Sequence, residues 1–280
     1  MLLFSSPLHS LRKTFAFRLL IKSRWNKPRL FRLGFEHKVA LRPFTHASIF
    51  LGRNKLEPGI RSLILKICKE LTQDKKDHFF FDVGANIGLY TWEVAKICPD
   101  LKIMAFEPDP NNIELLQITN GLTGSDRVKL CSFALSNKCQ EIAFEQDYLT
   151  SATGSIATDS KSWIEKYLNG TPNKIKIQTR TLDQISGKSK LPTLVKIDVE
   201  GHENEVLQGG MRTIQKSKPV IIVESFPPKQ SKVTMTLKTI GYNIFDADSI
   251  CPVREDTVNL FAWHPKGPIK NSFVQNILDS

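Results

Sequence analysis

The chain has 280 residues, of which 41% are hydrophobic and 24% charged, with 39 Lys and Arg against 28 Asp and Glu. This composition excludes a disordered or fibrous chain, and the length allows one substantial core. Five cysteines (Cys68, Cys98, Cys131, Cys139, Cys251), an odd number with no CxxC pair, argue against a disulfide scaffold or a zinc module and suggest a reducing compartment. The six histidines are scattered, so no metal is expected. Among the acids, Asp198, Glu200 and Glu224 could together hold a divalent cation.

The positive charge is concentrated at the start. Residues 1–60 carry 12 Lys/Arg and 2 Asp/Glu, whereas the rest carries 27 and 26, and no acid precedes Glu36. Bases interleave with apolar residues from Leu11 to Trp25, and Arg18 and Lys22 break an apolar run already too short to span a bilayer. Four readings fit this basic arm over residues 1–58: an amphipathic helix on an anionic membrane, through residues 1–40; a grip on nucleic-acid phosphates; an organellar transit peptide; or a solvated, poorly ordered extension. A domain over residues 59–268 follows, and then a tail over 269–280.

The spacing Ile60, Leu63, Ile64, Ile67, Leu71 predicts a helix over 59–71. Phe79–Phe81 is a short apolar run that stops at Asp82, as a strand buried on both faces does. Gly84, Asn86 and Gly88 then supply a sharp turn, and a helical pattern begins at Leu89. Lys102–Phe106 reads as the next strand, with Glu107 at its end, 19 residues beyond Gly88. Nucleotide-binding folds place a ribose-gripping carboxylate about 20 residues after the glycine turn. Asn86 stands where the dinucleotide pattern has its second glycine, so a pyrophosphate is poorly served. S-adenosylmethionine, which has a ribose and an adenine but no phosphate, suits the turn better.

Val128–Cys131 reads as a strand, followed by Ser132, Phe133 and Ala134. Residues 149–174, rich in Ser, Thr, Gly and Asn, read as an insertion or lid over the crevice. Leu194–Ile197 is a strand interrupted by Lys196, which shares a face with Asp198 because side chains alternate. Asp198, Glu200 and His202 fall at its carboxyl end, where ligands of open α/β sheets bind, and each is a candidate proton acceptor. Val220–Val223 is another parallel-type strand, ended by Glu224. Tyr242–Phe245 and Asn259–Trp263 close the domain as strands.

Together DVGANIG (82–88), FEPDPNN (106–112), LSN (135–137), TLDQI (181–185) and LVKIDVEGHENEVLQGG (194–210) resemble the FkbM family of S-adenosylmethionine-dependent methyltransferases, over roughly residues 77–265. The resemblance implies a Rossmann-like class I methyltransferase fold: a mostly parallel seven-stranded sheet, an antiparallel last strand and helices on both faces. It places Asp82, Gly84, Asn86 and Gly88 around the methionine end of the cofactor, Glu107 on the ribose, and Phe133 and Ala134 beside the adenine. It implies O-methylation of a hydroxyl on a sugar, glycan or other small molecule, with Ser155 (in a stretch with Ser151 and Gly154) contacting that acceptor; Glu224, by ending its strand, is expected to point into the same crevice and contact it too. An RNA methyltransferase and a non-catalytic, methyltransferase-like module tethered by the arm are the alternatives. The expected setting is cytoplasmic, or peripheral at the inner face of a membrane.

Overall fold

The computed structural model describes residues 7–33, 38–52, 57–74, 76–157, 162–187 and 189–279. A hairpin of β1 (Arg29–Arg32) and β2 (Lys38–Leu41) comes first. Then come β3 (Phe79–Val83), β4 (Lys102–Phe106), β5 (Val128–Cys131), β6 (Ala134–Leu135), β7 (Glu141–Gln146), β8 (Ser155–Ile156) and β9 (Asn173–Arg180). The chain ends its strands with β10 (Leu194–Ile197), β11 (Val220–Glu224), β12 (Asn243–Asp246) and β13 (Asn259–Trp263).

The main sheet has seven strands in the order β12-β13-β11-β10-β3-β4-β5. The pairs from β11 to β5 are parallel, and β13 runs antiparallel to both its neighbours. This is the Rossmann-like class I methyltransferase topology that the motifs imply. Alternation along the strands builds a core on each face. Phe80, Ile103, Leu194 and Ile222 pack with Ile60, Ile64 and Ile67 of helix Pro58–Leu71 and with Trp92 of helix Leu89–Ile97. Phe81, Met104, Val195 and Ile221 turn the other way, onto Val206, Leu207, Val233 and Leu237 from the helices after β10 and β11.

Among the described residues of the N-terminal segment, several are built into the fold rather than left in solvent. Leu33, Val39, Ala40 and Leu41 are fully buried in the first core, and the Ala40 N–H donates to Thr119 Oγ1 at 2.9 Å. Phe17, from helix Phe15–Lys22, packs edge-on against Phe44. Arg18 donates to the carbonyls of Leu168 and Asn169 at 3.0 and 2.9 Å, tying this helix to the 149–174 segment. Phe17, Leu33 and Val39–Leu41 thus meet partners in the folded domain, whereas Leu11, Phe15, Leu19 and Trp25, set among the bases, stay exposed. The tail behaves likewise: helix Asn271–Leu278 buries Val274 and Ile277 in the same core. Among the described residues, no helix is long and apolar enough to cross a membrane.

A second sheet, β6-β9-β7-β8, stands beside the main one. It carries the 149–174 segment, which has a small core of its own in Leu149, Ile164 and Leu168.

Candidate active site

The carboxyl ends of β3, β4 and β10, strand β6 and the loop after β7 enclose a cleft of about 680 Å³, with the solvent at its mouth included. Gly84 turns the chain at the end of β3. Its φ is +80°, and a Cβ there would lie 1.8 Å from the carbonyl oxygen of Asp198, so only glycine lets β3 and β10 end side by side. Asn86 follows at φ +52°. Its N–H donates to Glu107 Oε2 at 2.8 Å, and its Nδ2 donates to the carbonyl of Ser151 at 2.5 Å.

Glu107 is held from its own side of the cleft. Oε1 accepts the Asp109 N–H at 2.9 Å and Asn112 Nδ2 at 3.4 Å. Burial lifts its carboxyl to about 7, against the pull of these donors. Its carboxylate retains lone pairs for a ligand hydroxyl. Ala134 and Leu135 line the cleft with Phe106, giving an apolar wall.

β10 delivers the acidic floor. Register sets Lys196 beside Asp82 of β3, and Lys196 Nζ donates to Asp198 Oδ2 at 2.8 Å while lying 4.5 Å over the Tyr90 ring. Glu200 follows at φ +54°, a strained conformation for a non-glycine residue. Among the described residues it has no hydrogen-bond or ion-pair partner, and it lines the cleft. Burial, with the negative charges of Asp198 and Glu224, raises its carboxyl well above the usual range. Glu224 is raised to about 8, chiefly by Asp198 and then by burial. His202 also lines the cleft, but its Nε2 is 2.9 Å from Ser136 Oγ, and burial lowers its affinity for a proton.

Not every expected residue reaches the cleft. Asp82 is buried behind it, accepting from the Thr91 N–H and Oγ1 at 3.1 and 2.6 Å and so fixing helix Leu89–Ile97 to β3. Gly88 also lies behind: a Cβ would sit 2.4 Å from Trp92 Nε1, so its role is packing. Phe133 stacks under Arg180, 4.7 Å from the guanidinium, and packs edge-on against Phe106 outside the lining. Ser155 pairs with Glu145 in β8 while its neighbours Gly154 and Ile156 face the cleft, as strand alternation requires. Glu224 sits outside the lining and acts on the cleft through charge.

Asn112, for which no role was expected, and Ser151, expected only as part of a substrate-contacting stretch, both line the cleft. Asn112 Oδ1 accepts from Ser151 Oγ at 2.6 Å, so the helix after β4 and the loop after β7 meet over Glu107. The double asparagine in FEPDPNN was the available signal for the first. For Ser151, at φ +55°, the fold adds its meeting with Asn112 and Asn86.

Four carboxylates line the cleft (Glu107, Asp109, Asp198 and Glu200), and no Lys or Arg does among the described residues. That set offers a phosphate no cation and suits a cationic ligand with a ribose. The side chains thus fit S-adenosylmethionine: Glu107 would hold the ribose hydroxyls, Gly84 and Asn86 leave room at the turn, and the acids face the sulfonium charge.

Comparison with known proteins bears on the same residues. The Methyltransferase FkbM domain matches residues 82–244. Over 156 residues the chain is 30% identical to the hexuronic acid methyltransferase AglP of Haloferax volcanii, covering 54% of this chain and 58% of that one. It is 25% identical over 164 residues to the 2-O-methyltransferase NoeI of Sinorhizobium fredii, covering 55% and 67%. The chain thus spans about three-fifths to two-thirds of the length of these relatives. The crystal structure of a Methyltransferase FkbM from Methylobacillus flagellatus aligns with a TM-score of 0.44 at 17% identity, over 88% of this chain and 58% of that one.

Proposed function

From the premise that the chain belongs to the FkbM methyltransferase family, we propose that it is an S-adenosylmethionine-dependent O-methyltransferase acting on a hydroxyl of a sugar, glycan or similar small molecule. S-adenosylmethionine supplies an electrophilic methyl carbon on a sulfonium. The observation that carries the reading is the lining of the cleft: four carboxylates, with no lysine or arginine among the described residues, in a chain with 39 such bases. The names of the two relatives, one acting on a hexuronic acid and one a 2-O-methyltransferase, support an oxygen acceptor.

The residues divide the work by their surroundings. Asp198 is committed to Lys196, which neutralises it and holds it in place. His202 is committed to Ser136 and disfavours its charged form. Glu200 is uncommitted and faces the cleft, and its neighbours raise its affinity for a proton. A hydroxyl gains nucleophilicity when its proton is taken as the new bond forms, and a carboxylate with a raised pKa takes it more readily than an ordinary one. Glu200 is the base in this reading, Asp198, held by Lys196, positions the acceptor, and the 149–157 loop excludes water.

Glu200→Gln tests the assignment. Methyl transfer from labelled S-adenosylmethionine to saccharide acceptors should fall about 10²- to 10⁴-fold, with affinity for S-adenosylhomocysteine kept within a few-fold. Unchanged turnover would remove Glu200 as the base.

A further inference from the structure

A second groove lies on the other side of Ser151. It encloses about 970 Å³ including open solvent, and Ser151 lines both it and the cleft. One wall is the N-terminal segment, with Lys22, Arg24 and Lys27, and Arg42 also lines the groove. Its charge is the opposite of the cleft's. Arg42 is paired with Glu114, and Arg24 lies against the Trp25 ring. Lys22 and Lys27 are exposed and have no hydrogen-bond or ion-pair partner among the described residues.

The groove's own acid does not neutralise them. Asp147 is 2% exposed, and its oxygens accept from the N–H groups of Leu149 and Thr150 at 3.0 and 2.8 Å and from Thr153 Oγ1 at 2.8 Å. The buried guanidinium of Arg12 stands near enough to feel its charge. Asp147 is therefore spent on shaping the 147–153 loop.

We propose that this groove is the anion subsite of the acceptor, and that it takes a phosphate or diphosphate carried by the saccharide. The inference rests on the reading of the adjoining cleft as a transferase site. A sulfonium ligand has no reason to sit among lysines. Three exposed cations exceed what one carboxylate would balance, and a diphosphate carries the matching charge. Lysines on flexible stems suit a hydrated polyanion in an open groove better than the planar fork that a single carboxylate prefers. Ser151 then separates a cationic donor from an anionic acceptor tail, placing the saccharide between them.

The test is calorimetric titration of the full chain with inorganic pyrophosphate, then with S-adenosylhomocysteine, for the wild type, Lys22→Gln/Lys27→Gln and the charge-matched control Lys216→Gln/Lys238→Gln. Pyrophosphate should bind the wild type and the control alike, more weakly as salt rises, and the groove variant about tenfold more weakly. S-adenosylhomocysteine should bind all three equally, which also shows that the variants fold. Equal pyrophosphate affinity in the groove variant, an equal loss in the control, or acetate competing as well as pyrophosphate would each overturn the proposal. If S-adenosylhomocysteine binds no form, the transferase reading falls and the proposal falls with it. Should the groove variant lose binding to phosphatidylglycerol vesicles while keeping pyrophosphate, the lysines serve a membrane surface instead, and the proposal is wrong. Competition by uridine diphosphate glucose or by farnesyl diphosphate distinguishes a nucleotide carrier from a lipid carrier.

Discussion

Replacing Glu107 by Gln tests the donor side of the cleft most directly. Raising the carboxyl from 4.5 to about 7 makes ionisation in the ligand-free protein harder than in water by about 3 kcal/mol. Ribose hydroxyls donate to the ionised form, so binding should draw the proton off. The affinity for S-adenosylhomocysteine should then rise with pH up to about 7, roughly tenfold per pH unit below it, and level off above. Hydrogen bonds to a charged acceptor are worth about 1.5–3 kcal/mol each, so losing two weakens binding by roughly 10²- to 10⁴-fold. In Glu107→Gln one oxygen must serve the N–H groups of both Asn86 and Asp109, which Glu107 now accepts separately. Leaving one of them unsatisfied costs about 1–3 kcal/mol of stability. The assay is calorimetry from pH 5.5 to 8.5 in two buffers of different ionisation enthalpy. The difference between wild type and variant removes the ligand's own titrations. An affinity with the same pH dependence in both proteins, and no proton release unique to the wild type, would refute the ribose assignment.

The other predictions concern the acid cluster, the turn and the N-terminal segment. Glu200 holds its proton into a higher pH range partly because of Glu224, so turnover should rise with pH, and Glu224→Gln should move that rise to lower pH; a pH–rate profile that stays put or moves upward contradicts the charge coupling. Gly84→Ala would bring a methyl to 1.8 Å from a backbone oxygen at φ +80°, so it should lower unfolding free energy by at least about 2 kcal/mol and abolish S-adenosylhomocysteine binding, both readable in urea titrations with and without ligand. Leu41→Ala empties a fully buried site and should cost about 2–5 kcal/mol; a change under about 0.5 kcal/mol, the range for surface substitutions, would mean that residues 38–41 are not part of the core.

What the sequence disclosed and what it hid follows from the range of the interactions. β3, β4, β10 and β11 were legible because a strand buried on both faces is mostly apolar, and each such run, even β10 with its Lys196, stops at a carboxylate. Glu107 was legible because the spacing from a glycine turn to the next strand end is fixed by the fold. The pairing of Lys196 with Asp198 followed from alternation alone. By contrast, Ser151 meets Asn112 and Asn86 across 39 and 65 residues, and nothing local marks such a meeting. Asp82 and Gly88 sit in the same motif as Gly84 and Asn86, yet they hold helix Leu89–Ile97 rather than line the cleft. A motif records which residues a turn needs, without separating those that face the ligand from those that keep the turn in place. The second sheet went unread because β6 and β8 are two residues long, although β9 alternates as a half-buried strand should.

The basic segment shows how a charge total can mislead about mechanism. Its excess of bases reads naturally as an arm that reaches for a polyanion, and that reading treats it as separable from the enzyme. In the fold, Leu33 and Val39–Leu41 of the same segment enter the main core, while Lys22, Lys27 and Arg24 line the groove beside the loop that also borders the cleft. The polar and apolar halves of one pattern thus do two jobs. Burial of Leu33 and Val39–Leu41 fixes where the segment lies, and that position brings Lys22 and Lys27 to the loop around Ser151. Charge segregation across a single loop has a physical consequence: each side lowers the energy of a ligand of one sign and raises it for the other. A cationic donor and an anionic acceptor tail are thereby kept from exchanging places, without any side chain having to recognise either in detail. Under the proposed anion subsite, the segment's basicity is part of substrate orientation.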